Sequence, residues 1–451
     1  MLKFMEPRII PRKEHRLSRK QVSPNALRTL YRLHNHGFIA CLVGGCVRDL
    51  LLGRTPKDFD IGTDATPNQI KRLFRNCRLI GRRFRLAHLH FQNEIIEVST
   101  FRRAGDPSDS QNDNGTAPGR RRPWHATDEF GMVVADNIFG TPQEDALRRD
   151  FTINALAYNI ADASVIDYST GLDDLRQGLI RSIGDPDVRF TEDPVRMLRA
   201  VRFASSHGFT IEPETWEAIC RLSSTISRVS SARLYEEVQK LFLLGSAQPT
   251  FSHLERSGLL AALFPGLGRW ILGRDRRFKL LESKFGFLDQ LHLNGTPASP
   301  ALFLSILFGP GLEKAAFVRH RDGIPRRQAL KEACDVFIEE MSEIVTVPHK
   351  VGIRLSAMLG LLSALRKTPP RRPASVAARP EFVDALAYLR LTERASKESQ
   401  GQIEWWEAFL ADAPSAHPSE QPDNTVPKKK RKRRRRKPRS ARKAQTPEPA
   451  Q

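Results

Sequence analysis

The 451-residue chain carries 72 Lys and Arg against 51 Asp and Glu, a net charge of +21, the balance expected of a protein that neutralises phosphates. Its five cysteines (Cys41, Cys46, Cys77, Cys220 and Cys334) have neither a zinc-site spacing nor the pattern of a disulfide framework, which argues for a reducing compartment. No apolar run approaches the roughly 18 residues of a membrane-spanning helix and the N-terminus lacks the apolar segment of a signal peptide, so a cytoplasmic protein with no membrane partner is expected.

Residues 1–22 read as a basic N-terminal extension. Ser23 caps a helix that runs to His36, with Pro24 in its first turn, apolar side chains at Leu27, Leu30, Tyr31 and Leu33, and Gly37 at its end. A short apolar strand, Phe38–Val43, turns through Gly44-Gly45 into a brief helix ending near Gly53, and Lys57–Gly62 reads as a second strand. Thr66-Pro67 opens a helix to about Asn76. Leu86–Phe91 and Glu94–Phe101 alternate apolar and polar residues around a turn at Gln92-Asn93, the pattern of two paired strands. Residues 103–129 are rich in Gly, Pro, Ser, Asn and Asp, with a basic knot at Arg120–Arg122, and read as a mobile surface loop. Beyond Glu192 helical periodicity dominates. The chain thus divides into an α/β head over 23–165 with a small mixed sheet and flanking helices, a helical neck over 166–260, an all-helical body over 261–411 and a disordered basic tail over 412–451.

The chemistry concentrates in LVGGCVRDLLLGRTPKDFDIGTDATP, Leu42 to Pro67. On an extended strand Asp58 and Asp60 project from one face while Phe59 turns to the core. Two carboxylates on one face form a platform for Mg²⁺, which takes one or two protein carboxylates plus substrate phosphates, and a pair of such ions suits in-line phosphoryl-type transfer. Gly44-Gly45 supplies a turn without side chains ahead of a helix, where backbone N–H groups hold a triphosphate, with Arg48 within reach.

GGxVRD followed by Asp-x-Asp resembles the α/β nucleotidyltransferase head shared by bacterial poly(A) polymerases and class II CCA-adding enzymes. EDALRRDFTINALAYN, Glu144 to Asn159, is similar to the family segment in which Arg-Arg-Asp precedes Thr-Ile-Asn-Ala, and FTEDPVRMLRAVRFA, Phe190 to Ala204, resembles its nucleotide-recognition helix. The resemblance spans roughly Asn25 to Leu260. It implies metal ligation by Asp58 and Asp60, nucleotide binding by Gly44, Gly45, Arg48 and Arg149, and a third carboxylate from Asp150; Glu97, in the strand Glu94–Phe101 expected beside the Asp-x-Asp strand, competes for that place. Asp193, Arg196 and Arg199 recur every three residues, so on one helix they share a face, where Asp193 would accept from the adenine amine and an arginine would donate to a ring nitrogen.

CRLIGRRFRLAHLHF, Cys77 to Phe91, resembles the stretch that marks the poly(A) polymerase branch, with Arg82, Arg83 and Arg85 as RNA contacts. The tail PKKKRKRRRRKPRS, with Lys428, Lys429, Lys430 and Arg431, suits sequence-independent phosphate attraction and RNA tethering, although nuclear import and solubility are open readings of it. Residues 412–451 alone contribute +9 of the net charge. Trp405 and Trp406 read as core or interface residues. The resemblance implies a template-independent poly(A) polymerase that adds AMP from ATP to RNA 3′ ends in the presence of Mg²⁺, through two metal ions, or of Mn²⁺, with RNA-decay proteins as partners. A CCA-adding tRNA nucleotidyltransferase and a non-catalytic RNA-binding adaptor are the alternatives.

Overall fold

The computed structural model describes residues 6–81, 85–103, 125–127, 129, 132–136, 138–271, 273–392 and 397–412. Arg82, Arg83, most of the 103–129 loop and the tail with Lys428–Arg431 lie outside the described residues. The chain divides into two units, 1–403 and 404–451.

Among the described residues twelve strands run in chain order as β1 (Arg8–Ile10), β2 (Ala40–Val43), β3 (Asp60–Thr63), β4 (Cys77–Ile80), β5 (Leu86–His90), β6 (Ile95–Thr100), β7 (His125–Thr127), β8 (Val133–Asp136), β9 (Leu156–Asn159), β10 (Val165–Asp167), β11 (Leu179–Ile180) and β12 (Thr210–Ile211), the last two forming a short parallel pair of their own. Eight of them form one sheet in the order β1-β10-β9-β2-β3-β6-β5-β4, with β7 and β8 as a separate ribbon. The sheet is mixed because β3 and β6 pair in parallel while its other neighbours are antiparallel. Its central strand β2 is buried throughout.

The flanking helices are α1 (Pro24–Asn35), α2 (Gly45–Leu51), α3 (Pro67–Leu73) and α4 (Pro142–Leu147). Ser23 caps α1 by accepting the N–H groups of Asn25 and Ala26, and the helix buries Ala26, Leu30 and Leu33 on one face. A reciprocal capping box between Thr66 and Gln69 opens α3. Helices then take over: α5 (Gly171–Gln177), α6 (Pro186–Glu192), α7 (Val195–His207), α8 (Pro213–Leu222), α9 (Ser231–Phe242), α10 (Ala247–Arg256), α11 (Leu259–Leu263), α12 (Pro265–Ile271), α13 (Asp275–Leu293), α14 (Pro300–Arg321), α15 (Arg326–Ser342), α16 (His349–Leu365), α17 (Pro373–Ala377), α18 (Phe382–Thr392) and α19 (Lys397–Asp412).

Aromatic packing ties the early helices to the later ones. Phe242 stacks on Phe303 with centroids 4.7 Å apart, and Phe251 meets Phe285 at 4.9 Å. Helix α14 departs from the sequence reading, because it is long and apolar enough to span a membrane by length and composition. Ala301 to Leu307 are all buried within the helical body, and a helix apolar all round is what a central core position requires. In the second unit, Trp406 is buried and Trp405 stacks parallel to Phe409 at 5.6 Å.

Three local readings change. Lys57–Gly62 is not one strand: β3 starts at Asp60 and Asp58 lies in a bend, because β2 ends at Val43, where the chain turns at Gly44 and leaves the segment before Asp60 without a partner on that side. Cys77–Ile80 forms an additional edge strand. The expected helix over Glu192–Ala204 is two helices: Pro194 offers no N–H, and Asp193 before it adopts an extended backbone (φ −152°, ψ 90°).

Gly62 in β3 has no room for a side chain, since a Cβ there would lie 2.5 Å from the Phe101 ring and 3.0 Å from Val43. Gly62→Ala should therefore lower unfolding free energy by about 1–3 kcal/mol through overpacking, read as a lower urea midpoint with an unchanged m-value.

Candidate active site

The register of the parallel β3–β6 pair sets Asp60 directly beside Glu97, and the antiparallel β5–β6 pair sets Glu97 beside His88. Alternation keeps all three on one face, while Ile61, Val98 and Ala87 fill the other as buried core. Phe59 is buried as expected, and Asp58, from its bend, is exposed. Burial pushes the Asp60 carboxyl up to about 6, and the charge of Glu97 adds to this more than that of Asp58; Arg149 opposes it. Asp60 is thus a carboxylate among carboxylates, with one guanidinium near enough to matter.

That guanidinium is placed by Gly44. Gly44 has φ +77°, and a Cβ there would sit 2.6 Å from Arg149 Nη1, so the glycine lets Arg149 lie flat against the turn into α2. Arg149 donates to Asp145 Oδ2 at 3.1 Å and Arg148 donates to Oδ1 of the same carboxylate at 2.7 Å. Asp145 is buried and also receives the Arg102 N–H. Burial alone would raise its pKa, but Arg149 and Arg148 outweigh that and hold it low. The first N–H groups of α2 stand beside this arginine, free of intrahelical acceptors as at any helix start.

Arg48 lies against the same turn, its Nη2 3.4 Å from where a Cβ on Gly45 would stand. Only 6% exposed, it donates to Asn154 Oδ1 at 2.8 Å and to Asp49 at 2.9 Å, with its guanidinium 5.0 Å from the centre of the Phe203 ring. Asn154 in turn donates to Asp150 at 3.0 Å. Asp150 also receives Arg199 Nε at 2.7 Å and the Phe151 N–H at 2.9 Å. Burial opposes ionisation of Asp150, yet the Arg199 charge and these hydrogen bonds hold its carboxyl well below the usual carboxylate range. Asp150 therefore sits in a clasp between the head and α7, accepting from Asn154, Arg199 and the Phe151 N–H.

The three expected base-reading residues are each engaged by protein partners, Arg196 and Arg199 on α7 and Asp193 just ahead of it. Asp193 ends α6 and is held by both Nη groups of Arg233 at 2.8 Å. Arg196 pairs with Glu192 at 2.9 Å and donates to the Arg189 carbonyl, while Arg199 belongs to Asp150. Arg189 donates to the Arg148 and Arg149 carbonyls, linking α6 to the Arg149 segment. Arg85 is exposed. The sequence reading passed over Asp145, Asn154, Phe203 and Arg233, although Asp145 and Asn154 lie inside the very stretch, Glu144 to Asn159, that carried the resemblance.

The model described as "Poly A polymerase head domain" matches residues 40–181, "Probable RNA and SrmB- binding site of polymerase A" matches 208–271, and "Polymerase A arginine-rich C-terminus" matches 322–441. Poly(A) polymerase I of Salmonella typhimurium is 40% identical over 431 residues, covering 94% of this chain and 90% of that protein. The chain belongs to the poly(A) polymerase family. It is a nucleotidyltransferase of that family by its full-length likeness, and CCA-adding enzymes are relatives as well: that of Bacillus subtilis is 34% identical over 331 residues, covering 66% of this chain and 76% of that protein. The solved structure of the Bacillus stearothermophilus CCA-adding enzyme in complex with CTP superposes with a TM-score of 0.58 at 25% identity, covering 86% of this chain and 83% of that one. The poly(A) polymerase head and helical body therefore share the CCA-adding enzyme fold.

The Asp150 clasp has a stability signature. Its folded pKa lies below the unfolded value of about 3.9, so its contribution is present above that pH and is lost as pH falls through the depressed folded value. Asp150→Asn should cost about 3 kcal/mol at pH 7 by leaving Arg199 without its carboxylate, and the deficit relative to the parent should shrink in denaturant unfolding as pH is lowered below about 4.

Proposed function

We propose that this chain is a template-independent poly(A) polymerase that transfers AMP from ATP to RNA 3′ ends and releases pyrophosphate. The observation that carries the reading is 40% identity with Poly(A) polymerase I of Salmonella typhimurium in an alignment that covers 94% of the chain, against 34% over 66% for the CCA-adding enzyme of Bacillus subtilis. CCA addition is the second reading, favoured by the shared fold and by the 34% identity with the CCA-adding enzyme of Bacillus subtilis over a shorter part of the chain.

The row of carboxylates supports metal-dependent chemistry. A carboxyl pushed up to about 6 by burial and a neighbouring Glu marks negative charge short of a counterion. Among the described residues no three metal-ligating side chains cluster closely enough for an all-protein site. Mg²⁺ does not ask for one, since one or two carboxylates with substrate phosphates and water suffice. Asp58 and Asp60 would hold Mg²⁺, as one ion or two, or Mn²⁺ in its place, and such an ion would supply charge neutralisation for the triphosphate and a lowered pKa for the RNA 3′-hydroxyl.

The protein's own groups then orient the reactants. Arg149, fixed by Asp145 and laid against Gly44, presents its guanidinium to the triphosphate beside the N–H groups of Gly45 and Cys46. Arg48 acts from behind, bracing α2 against Asn154 and Phe203. Asp193 keeps lone pairs for the adenine amine even while Arg233 holds it, because a carboxylate accepts at about four sites. Arg196 and Arg199 likewise keep spare donors. The basic tail tethers RNA by phosphate attraction in the cytoplasm, within reach of the RNA-decay proteins that use such 3′ tails.

Asp60→Ala should abolish extension of a 3′-hydroxyl RNA while RNA binding, measured by filter retention, stays within about twofold, since phosphate attraction is spread over the basic surface. Elongation at the parent rate would show that the metal platform lies elsewhere. A proton competes with the cation for Asp60 below pH 6, so half-saturation of the extension rate by Mg²⁺ should require about tenfold more ion at pH 5 than at pH 7.

A further inference from the structure

The open face of the sheet carries a continued row of polar side chains, one from each strand moving outward from the centre. Asp60 on β3 is in register with Glu97 on β6, Glu97 with His88 on β5, and His88 with Arg78 on the edge strand β4. Within this row one hydrogen bond is formed: His88 Nε2 lies 3.3 Å from Glu97 Oε2. An ionised carboxylate only accepts, so Nε2 carries the proton. The contact is more than a solvated surface pair, because the His88 side chain is only 23% exposed and its backbone is fixed by pairing on both sides.

Glu97 needs such a hold. Its side chain is 40% exposed and its neighbour in the parallel pair is another carboxylate, so repulsion and solvation both draw it away from Asp60. We propose that His88 is a positioning residue for nucleotidyl transfer, gripping one oxygen of Glu97 so that the Glu97 carboxylate stays beside Asp60. This rests on the reading above that Asp60 is part of the metal-dependent site, and it adds that Glu97 works with it. His88 falls inside Cys77–Phe91, the stretch whose resemblance marked the poly(A) polymerase branch. The grip thus gives that stretch a role in the site apart from its arginines.

The test is a double-mutant cycle in the full-length protein with His88→Leu, His88→Gln and Glu97→Gln, each checked for an unchanged melting temperature. His88→Leu should lower kcat about tenfold with KM for ATP within about twofold and with a higher Mg²⁺ half-saturation, and His88→Gln, which retains a donor at similar reach, should recover most of the rate. In the Glu97→Gln background, adding His88→Leu should cost less than about twofold, because the residue it acts through is already gone. Full additivity of the two losses, or a His88→Leu rate equal to the parent's beside an impaired Glu97→Gln, would overturn the role of His88 and leave the rest of the site standing. A Glu97→Gln enzyme as active as the parent would instead remove Glu97 from the site, and the proposal with it. If His88→Leu melts early, the comparison of His88→Gln with His88→Asn, too short to reach Glu97, decides: equal rates overturn the proposal, and a slower His88→Asn supports it.

Discussion

The placement of Asp60 beside Glu97 in the one parallel strand pair of the sheet is the constraint around which the head is built. Two carboxylates at adjacent registers, one of them mostly withdrawn from water, make the ionised form of Asp60 costly: a carboxyl pushed from its ordinary range to about 6 carries about 2–3 kcal/mol against ionisation. Such strain persists only where the surrounding structure fixes it. Here β2 covers the inner edge of β3, β6 covers the outer edge, and Phe59 and Ile61 anchor the strand in the core. The same arrangement prepares the face for a cation, because the energy that opposes two bare carboxylates favours them once a counterion is shared.

A second layer of order comes from guanidinium groups assigned to fixed partners. Asp145 gathers Arg148 and Arg149 on a buried carboxylate, and Gly44 clears the space in which Arg149 lies. Behind it, Arg48, Asn154, Asp150 and Arg199 form a continuous chain of hydrogen bonds from α2 to α7, closed by Phe203, over whose ring both Arg48 and Arg199 sit. Head and neck thus share one buried polar network, and such a network rigidifies when all its members are satisfied.

The sequence made the strand–turn–helix around Gly44-Gly45 legible, along with the capped α1, the β5–β6 hairpin and the helical remainder, because each rests on local signals: caps, glycines and two-residue alternation. The family likeness of the carboxylates was legible for the same reason. What it could not supply was partnership across the chain. Asp58 and Asp60 look equivalent as Asp-x-Asp, but only the end of β2 at Val43 decides that one lies in the strand and the other in a bend. Arg48 and Arg149 look like equal phosphate ligands, yet Asn154, more than a hundred residues away from Arg48, turns that arginine inward. The three-residue rhythm of Asp193, Arg196 and Arg199 suggested a single helical face, and Pro194 sets Asp193 just ahead of the helix that carries the two arginines. Apolar periodicity likewise understated α14, whose all-round hydrophobicity reflects neighbours on every side.

The most direct test of this account is extension of a short 3′-hydroxyl RNA by the purified protein with Mg²⁺ in four reactions, each holding one nucleoside triphosphate, resolved on a sequencing gel. A long ladder with ATP alone is the predicted result. Additions of one or two residues with CTP, or no extension with any triphosphate, would contradict it.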